Sequence, residues 1–296
     1  MRARRGQRCL RSCVQPLLAC LLIFDGAHSI ATVIPWTPQG ISSPQFESHA
    51  AFDPVNGDLY FVRSSPKFEG WRILVSHCTP QGWSDPVPPS FAGDGVEADP
   101  WFTPDGKTLF FISTRSTDGV KRKDLDIWRI RRTNDETWGT PERLPEPVNS
   151  SAQEWFPRLA PDGWLYFGSG RSGGKGKTDI WRARVNAQGR WTVTNLGPQI
   201  NTAGDEYEPL VSPDGRMMIV MADGGLYMSR SAGDEWTKRT KLSPEINVNG
   251  SEIGATLSPS GRTLLFARDT GSILSGEFFI WHIGDTEPWP LPCPMR

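Results

Sequence analysis

One stretch decides the fold: QEWFPRLAPDGWLYFGSGR, which runs from Gln153 to Arg171. A short alternating segment leads to the pair Asp162 and Gly163, and an apolar, β-rich segment follows it. Asp-Gly between two such segments is a strong hairpin signal, because both turn positions must accept a positive φ angle. The stretch therefore predicts two antiparallel strands joined by a tight turn.

The same pattern occurs five times along the chain, which is the signature of a repeat architecture. The other copies are FESHAAFDPVNGDLYFVR from Phe46, VEADPWFTPDGKTLFFISTR from Val96, DEYEPLVSPDGRMMIVMAD from Asp205 and SEIGATLSPSGRTLLFARD from Ser251. A third β-rich run follows most hairpins, and a tryptophan then begins a fourth segment at Trp83, Trp138, Trp191 and Trp236. Each unit therefore predicts four strands, which we name A to D.

A four-stranded unit cannot bury both of its faces alone, so neighbouring sheets must stack radially. We predict an all-β fold, a five-bladed β-propeller of four-stranded antiparallel blades. The N-terminal segment ATVIPWTPQ carries Trp36 where the outer tryptophan of a blade would stand. We expect this segment to close the ring as the outermost strand of the last blade, because an open edge strand invites aggregation. The approximate blade boundaries are 46–95, 96–152, 153–204, 205–250 and 251–288.

Residues 1–29 have the layout of a secretory signal peptide, so residues 30–296 form the single predicted domain. Five arginines precede the apolar run PLLACLLIF, Pro16 to Phe24, and small residues follow it. The run is too short to span a bilayer, and no later segment predicts a transmembrane helix. We expect an exported protein, periplasmic or secreted. LLAC, ending at Cys20, also resembles a lipobox, so a lipoprotein is the alternative.

Charge and cysteine usage narrow the class of protein. Removing the leader takes five Arg and one Asp from 32 basic and 33 acidic residues, which leaves a net charge of −5. A mildly acidic domain is a poor candidate for binding nucleic acid.

Only Cys78 and Cys293 remain in the mature chain. In a closed ring the C-terminal tail lies near the first blade, which favours a disulfide between them over two isolated thiols. We expect a monomer.

The stretch GSGRSGGKGKTDIW, Gly168 to Trp181, superficially resembles a phosphate-binding loop. Gly176, Lys177 and Thr178 match the end of the motif, but five residues separate Gly170 from Gly176 where the motif has four. A phosphate loop also leads into a helix, whereas Thr178 leads into the strand DIWRA. We interpret the stretch as a B–C connection of blade three and not as a nucleotide site.

A glutamate recurs at the start of every predicted inner strand: Glu47, Glu97, Glu154, Glu206 and Glu252. Five carboxylates around a central mouth repel one another unless each is paired or a cation lies among them. They either accept hydrogen bonds from the neighbouring links or bind a cation, for which calcium fits the all-oxygen donors. We expect no other cofactor. Asn149, Asn201 and Asn247 each precede a glutamate by five residues, which suggests a repeated tie between blades.

Other polar residues recur near this ring. Asp99 and Glu208 lie two residues beyond their glutamates and make blades two and four the most acidic. We predict that Arg115 pairs with Asp126, and Arg171 with Asp179, as braces across the B–C connections. His49, His77 and His282 are scattered and show no metal-ligand spacing. Trp101, Trp155 and Tyr207 lie near the starts of inner strands, where packing is the simpler interpretation and sugar stacking the alternative.

The repeats SPDGRMM, TPDGKTLFF and APDGWLYF, each followed by DIW or a variant, resemble the WD40-like β-propeller repeats of TolB and related envelope proteins. The resemblance extends from about Phe46 to Ile283. It implies a propeller fold and a place in the cell envelope, and it is compatible with scaffolds, binding proteins and some enzymes. The chain differs from TolB in having five visible repeats where that protein has six blades, and we expect it to lack the additional N-terminal domain of TolB.

Our leading hypothesis is a non-catalytic binding or scaffold protein whose partner is an envelope protein, a peptide or a glycan. Its expected ligand face carries Glu47, Glu97, Asp99, Glu154, Glu206, Glu208, Glu252, Arg115 and Arg171, with the basic B–C connections Lys121, Arg122, Lys123, Lys175 and Lys177. The alternative is a propeller enzyme of the glycoside hydrolase type, acting on a carbohydrate. That enzyme would use the central carboxylates Glu97, Glu154 and Glu206 as acid and base.

Overall fold

The computed structural model describes residues 32–117, 119, 122–134, 137–248, 250–271, 276–283 and 287–293. The predicted signal peptide and Cys20 lie outside these residues. The described chain is built from antiparallel strands, with no helix among them, and forms a five-bladed β-propeller. The predicted fold class is confirmed. None of the described segments forms an apolar helix long enough to cross a membrane.

The strands follow one another in the order that the repeats predict. Blade one begins after β1 (Val33–Trp36) and contains β2 (Phe46–Phe52), β3 (Leu59–Ser64) and β4 (Arg72–Ser76), followed by a short hairpin of β5 (Cys78–Thr79) and β6 (Gly82–Trp83). Blade two contains β7 (Glu97–Phe102), β8 (Thr108–Ser113), β9 (Asp126–Asn134), β10 (Thr137–Trp138) and β11 (Glu142–Arg143). Blade three contains β12 (Glu154–Leu159), β13 (Leu165–Ser169), β14 (Asp179–Val185) and β15 (Trp191–Asn195).

The last two blades complete the ring. Blade four contains β16 (Glu206–Val211), β17 (Met217–Ala222), β18 (Leu226–Ala232), β19 (Glu235–Trp236) and β20 (Thr240–Lys241). Blade five contains β21 (Ile253–Leu257), β22 (Thr263–Arg268) and β23 (Glu277–His282). Strand β1 pairs with β23, with Trp36 opposite Phe278, so the N-terminal strand closes the ring as predicted.

The outer strand is regular only where the sequence allows a continuous ladder. In blade three, β15 pairs with β14 over its whole length. In blade one the fourth strand is reduced to a single bridge between Val75 and Val87. The segment around Val87 contains Pro86, Pro88 and Pro89. Because proline has no N–H to donate, this segment cannot continue the ladder.

The hydrophobic core is divided among the five interfaces between blades. One cluster of buried side chains lies at each interface, such as Tyr60 of blade one with Phe102 and Phe111 of blade two. Equivalent clusters join blades two and three, three and four, four and five, and five and one. The inner strand of each blade also contacts the inner strands of its neighbours. Each blade is therefore stabilised by the two beside it.

Cys78 and Cys293 form the predicted disulfide, with their Cα atoms 5.4 Å apart. Cys293 belongs to the C-terminal tail, whereas Cys78 lies in β5 beside blade one. The bond therefore fastens the end of the chain to the first blade.

Candidate functional site

The five recurrent glutamates lie at the start of the inner strands and are almost completely buried, with at most 1% of each residue exposed. Each carboxylate accepts a backbone N–H from the residue four positions earlier, in the link that enters the blade. The donors are Ser43 (3.3 Å), Gly93 (3.1 Å), Ser150 (3.1 Å), Thr202 (3.0 Å) and Val248 (3.0 Å). The glutamates therefore fix the links, as one of the two sequence interpretations expects.

Each of these carboxylates also has a guanidinium partner. Arg63 lies 2.7 Å from Glu47, Arg171 2.9 Å from Glu154, Arg239 3.0 Å from Glu206 and Arg268 3.0 Å from Glu252, and Arg115 contacts Glu97. Four of the arginines also donate to link carbonyls, at Ile41, Phe91, Pro147 and Glu245. The cation that balances each carboxylate is therefore an arginine of the chain itself.

The predicted braces Arg115–Asp126 and Arg171–Asp179 are wrong. Both arginines instead contact the ring glutamates Glu97 and Glu154, and the two aspartates, which are equally buried, have other partners. Asp126 instead forms a bidentate pair with Arg143, at 2.6 and 2.7 Å. Asp179 accepts hydrogen bonds from Asn195 and from two backbone amides of its own loop.

Burial and the ion pairs act in opposite directions on the pKa of two of the ring glutamates, Glu154 and Glu47. The pKa of Glu154 is raised by its burial, although Ser150 and Arg171 act in the opposite direction. The pKa of Glu47 is raised for the same reason, against Ser43 and Arg63. Burial lowers the pKa of the Arg171 guanidinium, against the carboxylate of Glu154.

The phosphate-loop resemblance has a structural explanation. The backbone N–H groups of Lys175 and Gly176 both donate to the carboxylate of Asp179, at 2.8 Å each. That carboxylate therefore occupies the position that a phosphate would take. Gly176 is needed for a different reason: a Cβ atom there would lie 1.8 Å from the carbonyl oxygen of Gly204. The glycine permits the B–C connection to approach the next link.

The recurrent asparagines form the repeated tie, although within a blade rather than between blades. Asn149 accepts from the N–H of Ile127 at 2.7 Å and donates to its carbonyl at 2.9 Å. Asn201 and Asn247 do the same with Ile180 and Leu226. Each asparagine thereby holds the outgoing link against strand C of the blade that it leaves.

A second layer lies two residues beyond the glutamates and breaks the symmetry of the ring. In all five inner strands this residue has a positive φ angle and the pairing with strand B shifts there. The five residues are His49 (53°), Asp99 (58°), Phe156 (53°), Glu208 (57°) and Gly254 (65°). Non-glycine residues in this region are strained, and such strain concentrates at functional sites.

The side chains of this second layer come together although they belong to different blades. Nε2 of His49 lies 3.6 Å from Oδ1 of Asp99 and 3.5 Å from Oε1 of Glu208. The other carboxylate oxygens accept backbone N–H groups of the same layer, Asp99 from Phe156 at 3.0 Å and Glu208 from Gly254 at 2.6 Å. We name His49, Asp99 and Glu208 the axial cluster.

The axial cluster is isolated from solvent, with 2–4% of each of its three residues exposed. Arg158, also buried, interacts electrostatically with both acids and lies 4.9 Å from the ring of Trp101. Burial raises the pKa of Asp99 to about 6, against His49, Arg158 and the Phe156 N–H, which lower it. The sequence analysis identified Asp99 and Glu208 as candidate site residues but did not identify His49. His49 lies two residues beyond Glu47, as Asp99 and Glu208 lie two residues beyond their glutamates, and this spacing could have identified it.

Two cavities lie near these layers. One, of about 40 Å³, extends from His49 and Asp99 between four aromatic rings. The other is an open groove of about 690 Å³ between the B–C connection of blade two and the link that follows β11. We name it the polar groove; its lining comprises Arg122, Lys123, Asp124, Arg143, Glu146 and residues 150–153. Lys121 lies outside the described residues, and Lys175 and Lys177 lie on the B–C connection of blade three.

Within the described ranges, no group of three or more His, Cys, Asp or Glu side chains is arranged to hold a metal ion. The calcium site expected among the ring glutamates stays a prediction, and their arginine partners reduce the need for it.

Of the aromatic residues considered for sugar stacking, Trp155 lines the small cavity, Trp101 lies under Arg158 and Tyr207 stacks against Phe156.

Comparison with known proteins identifies similar folds. No protein-family model matches the sequence, and no curated protein matches it. An α-L-arabinofuranosidase from Lactobacillus brevis has a TM-score of 0.53 and 13% identity, over 83% of this chain and 92% of that one. A putative TolB from Agrobacterium tumefaciens has a TM-score of 0.48 and 19% identity, over 83% and 73%. A thermostable family-43 glycoside hydrolase has 0.49 and 10%, over 88% and 100%. At 13% identity, the likeness to the arabinofuranosidase shows the fold alone.

Proposed function

We propose that the chain is an exported, non-catalytic binding protein of the cell envelope whose ligand lies on the face formed by the links and B–C connections. The observation that carries the proposal is the polar groove, with a volume of about 690 Å³. Its volume is within the range of protein sites that bind small ligands. The ring glutamates lie on the same face and hold the links that shape it.

The lining of the polar groove indicates the class of ligand. Arg122 and Lys123 come from the B–C connection, and Arg143 lies on β11. The serines and Gln153 of the link supply hydroxyl and amide groups. Asp124 and Glu146 add acids, so the groove suits a polar ligand with both carboxylates and hydrogen-bond donors. A short peptide or a glycan with attached carboxylates has this chemistry.

The paired state of the ring counts against the hydrolase alternative. General acid and base catalysis on a glycoside needs two carboxyl groups that flank the bond, about 5–9.5 Å apart. Glu97, Glu154 and Glu206 are each buried against an arginine, so a sugar would have to displace that partner. Asp99 and Glu208 break the symmetry but are at most 4% exposed.

Export is supported by the disulfide as well as by the predicted leader. Cys78 and Cys293 are bonded, and disulfides persist mainly in oxidising compartments such as the periplasm. The net charge of the mature domain disfavours nucleic acid as a partner. An envelope peptide or glycan is therefore the partner that we propose.

Soluble peptidoglycan fragments are the probe for this proposal, because they carry both sugars and peptide carboxylates. We expect them to bind the purified mature domain, and the double variant Arg122→Glu, Lys123→Glu to bind at least about tenfold more weakly. The control is the double variant Arg230→Glu, Lys238→Glu, at two exposed residues of blade four, which makes the same charge change outside the groove. Equal binding by the groove variant, or no binding by the wild type, would refute the proposal.

A further inference from the structure

The small cavity beside the propeller axis has an aromatic wall and a charged floor. Phe68, Trp71, Trp155 and Phe156 form the wall, and His49 and Asp99 lie at the floor. The wall residues are half-buried, whereas the floor residues are buried. The cavity of about 40 Å³ has room for a few water-sized groups. A narrow head group of a ligand fits this space.

The wall is a continuous set of rings from two sources. Phe68 and Trp71 come from the connection between β3 and β4, and their centroids are 5.2 Å apart. Trp71 meets Trp155 of β12 at 5.7 Å, and Trp155 stacks on Phe156 at 6.1 Å. Phe68 has a φ angle of 60°, so the connection adopts a strained conformation to present its ring. Aromatic faces grouped in this way attract organic cations.

The floor has a charge that its neighbours do not fully compensate. Asp99 and Glu208 are two acids, and Arg158 is the fixed cation that interacts with both. With a neutral His49, the four groups together carry a net charge of −1. A single positive charge delivered into the cavity would therefore neutralise the floor.

An unpartnered buried atom points to the same missing group. Nε2 of His49 has no hydrogen-bond partner among the described residues, although only 3% of this residue is exposed. Its other nitrogen, Nδ1, lies 2.8 Å from Oγ of Ser48. When Nδ1 carries the proton, Nε2 presents a lone pair toward the carboxylates of Asp99 and Glu208 at 3.6 and 3.5 Å. An N–H donor placed in the cavity would give Nε2 the hydrogen-bond partner that it lacks.

We propose that this pocket binds an organic ammonium group, with the alkyl part between the aromatic rings and the positive charge directed at Asp99. The group is a primary or methylated amine, carried by a small molecule or by a lysine side chain of a partner. The inference goes beyond the proposed function and does not rest on the polar groove. Loss of peptidoglycan binding in the Arg122, Lys123 variant would leave it intact.

The charges predict how binding varies with pH. An ionised Asp99 attracts the ammonium group, whereas a protonated Asp99 does not. The other charged and titratable groups that face it are His49, Glu208 and Arg158. Protonation of Asp99 weakens the binding of a cation at low pH. Affinity should therefore rise as the pH increases from 5 to 8.

Calorimetric titration with matched pairs of compounds tests the proposal. The pairs are n-butylammonium with butan-1-ol, and choline with its neutral isostere 3,3-dimethylbutan-1-ol. We expect at least one cation to bind about tenfold or more tightly than its neutral partner. A lysine-containing tripeptide, compared with n-butylammonium, then distinguishes a protein partner from a small amine. Equal affinity for both members of each pair, or no binding by either cation, would overturn the proposal.

Two variants locate the site. Asp99→Asn should reduce cation affinity to that of the neutral isostere, whereas Asp94→Asn, which removes an exposed acid from the link before the same blade, should not. Phe68→Leu removes one aromatic ring from a surface connection. It should weaken the binding of the cations more than the binding of their neutral isosteres. Unchanged cation affinity in both Asp99→Asn and Phe68→Leu would show that the amine binds elsewhere, and the assignment would fail.

Discussion

The imidazole of His49, in the first blade, directs its Nε2 atom at the carboxylate of Glu208, in the fourth blade, at a distance of 3.5 Å. The two residues occupy equivalent positions in their inner strands, each two residues beyond a ring glutamate. The ring glutamates are all alike, whereas the layer that contains His49 differs in every blade. The repeated layer maintains the ring, and the layer that varies is available for specific recognition.

Replacing Glu154 with Gln should destabilise the protein. Arg171 would lose its carboxylate partner while staying buried, and an uncompensated buried charge is costly. We expect the free energy of unfolding in urea to fall by about 2–4 kcal/mol. Glu235→Gln, at an exposed glutamate, is the control and should change it by less than about 0.5 kcal/mol. An unchanged midpoint for Glu154→Gln would contradict a structural role for the ring.

The buried Asp99 makes stability depend on pH in a defined direction. Its pKa is raised from 3.8 to about 6 in the folded protein, so the folded state binds the proton more tightly than the unfolded state. Asp99 therefore contributes to the stability of the folded protein below about pH 4, where it is protonated in both states. This contribution is lost as the pH rises to about 6. The raised pKa corresponds to about 3 kcal/mol.

Asp99→Asn checks this linkage, because asparagine is neutral and keeps an oxygen for the Phe156 N–H. The variant should be more stable than the wild type at pH 8, by up to about 3 kcal/mol, and close to it at pH 4. Chemical denaturation at the two pH values measures the difference. A variant that is equally destabilised at both would show that the Asp99 carboxylate is well compensated when ionised.

Removing the disulfide should loosen the unfolded state far more than the folded one. The bond closes a loop with a sequence separation of 215 residues, and the chain-entropy model assigns about 5 kcal/mol to a loop of this length. Cys78→Ser with Cys293→Ser should therefore lower the free energy of unfolding by several kcal/mol. Denaturation of the oxidised protein with and without reductant gives the same comparison in one chain, and equal stability would be incompatible with a native bond.

Gly176→Ala should perturb the contact between blade three and the following link. The new methyl group would lie 1.8 Å from the carbonyl oxygen of Gly204, so one of the two segments must move. We expect a loss of about 1–3 kcal/mol. Gly168→Ala is the control, because its nearest contacts would be at 3.4 Å, an ordinary packing distance. Equal effects of the two substitutions would argue that the close approach is not required.

The sequence predicts the ring of blades because its hairpin turns and alternating segments are local features. The closing strand β1 was also predictable, from the position of Trp36. The broken outer strand of blade one was not predicted in detail, although Pro86, Pro88 and Pro89 explain it. The repeat pattern describes the strands that the blades have in common, whereas the end of a hydrogen-bonded ladder in one blade depends on single prolines.

The partners of the ring glutamates were harder to predict than the glutamates themselves. Arg63 stands opposite Glu47 in strand B, Arg268 is the last residue of strand B in blade five, and Arg115 lies two residues past the end of strand B in blade two. Arg239 of blade four comes from the segment before β20. Because a long side chain reaches one point from several backbone positions, the spacing of residues does not determine the pair. The left-handed backbone of His49 and Asp99 has no sequence signal except Gly254, at the equivalent position.

The central claim is that the ring glutamates maintain the fold while the polar groove binds the ligand. The affinity of soluble peptidoglycan fragments tests it most directly, measured for the wild type, Glu206→Gln and the Arg122→Glu, Lys123→Glu variant at a temperature where all three are folded. Glu206 is a ring glutamate that holds Thr202, a link residue outside the groove lining. We predict that Glu206→Gln binds like the wild type and that the groove variant binds at least about tenfold more weakly. Loss of binding in Glu206→Gln with full affinity in the groove variant would contradict the claim.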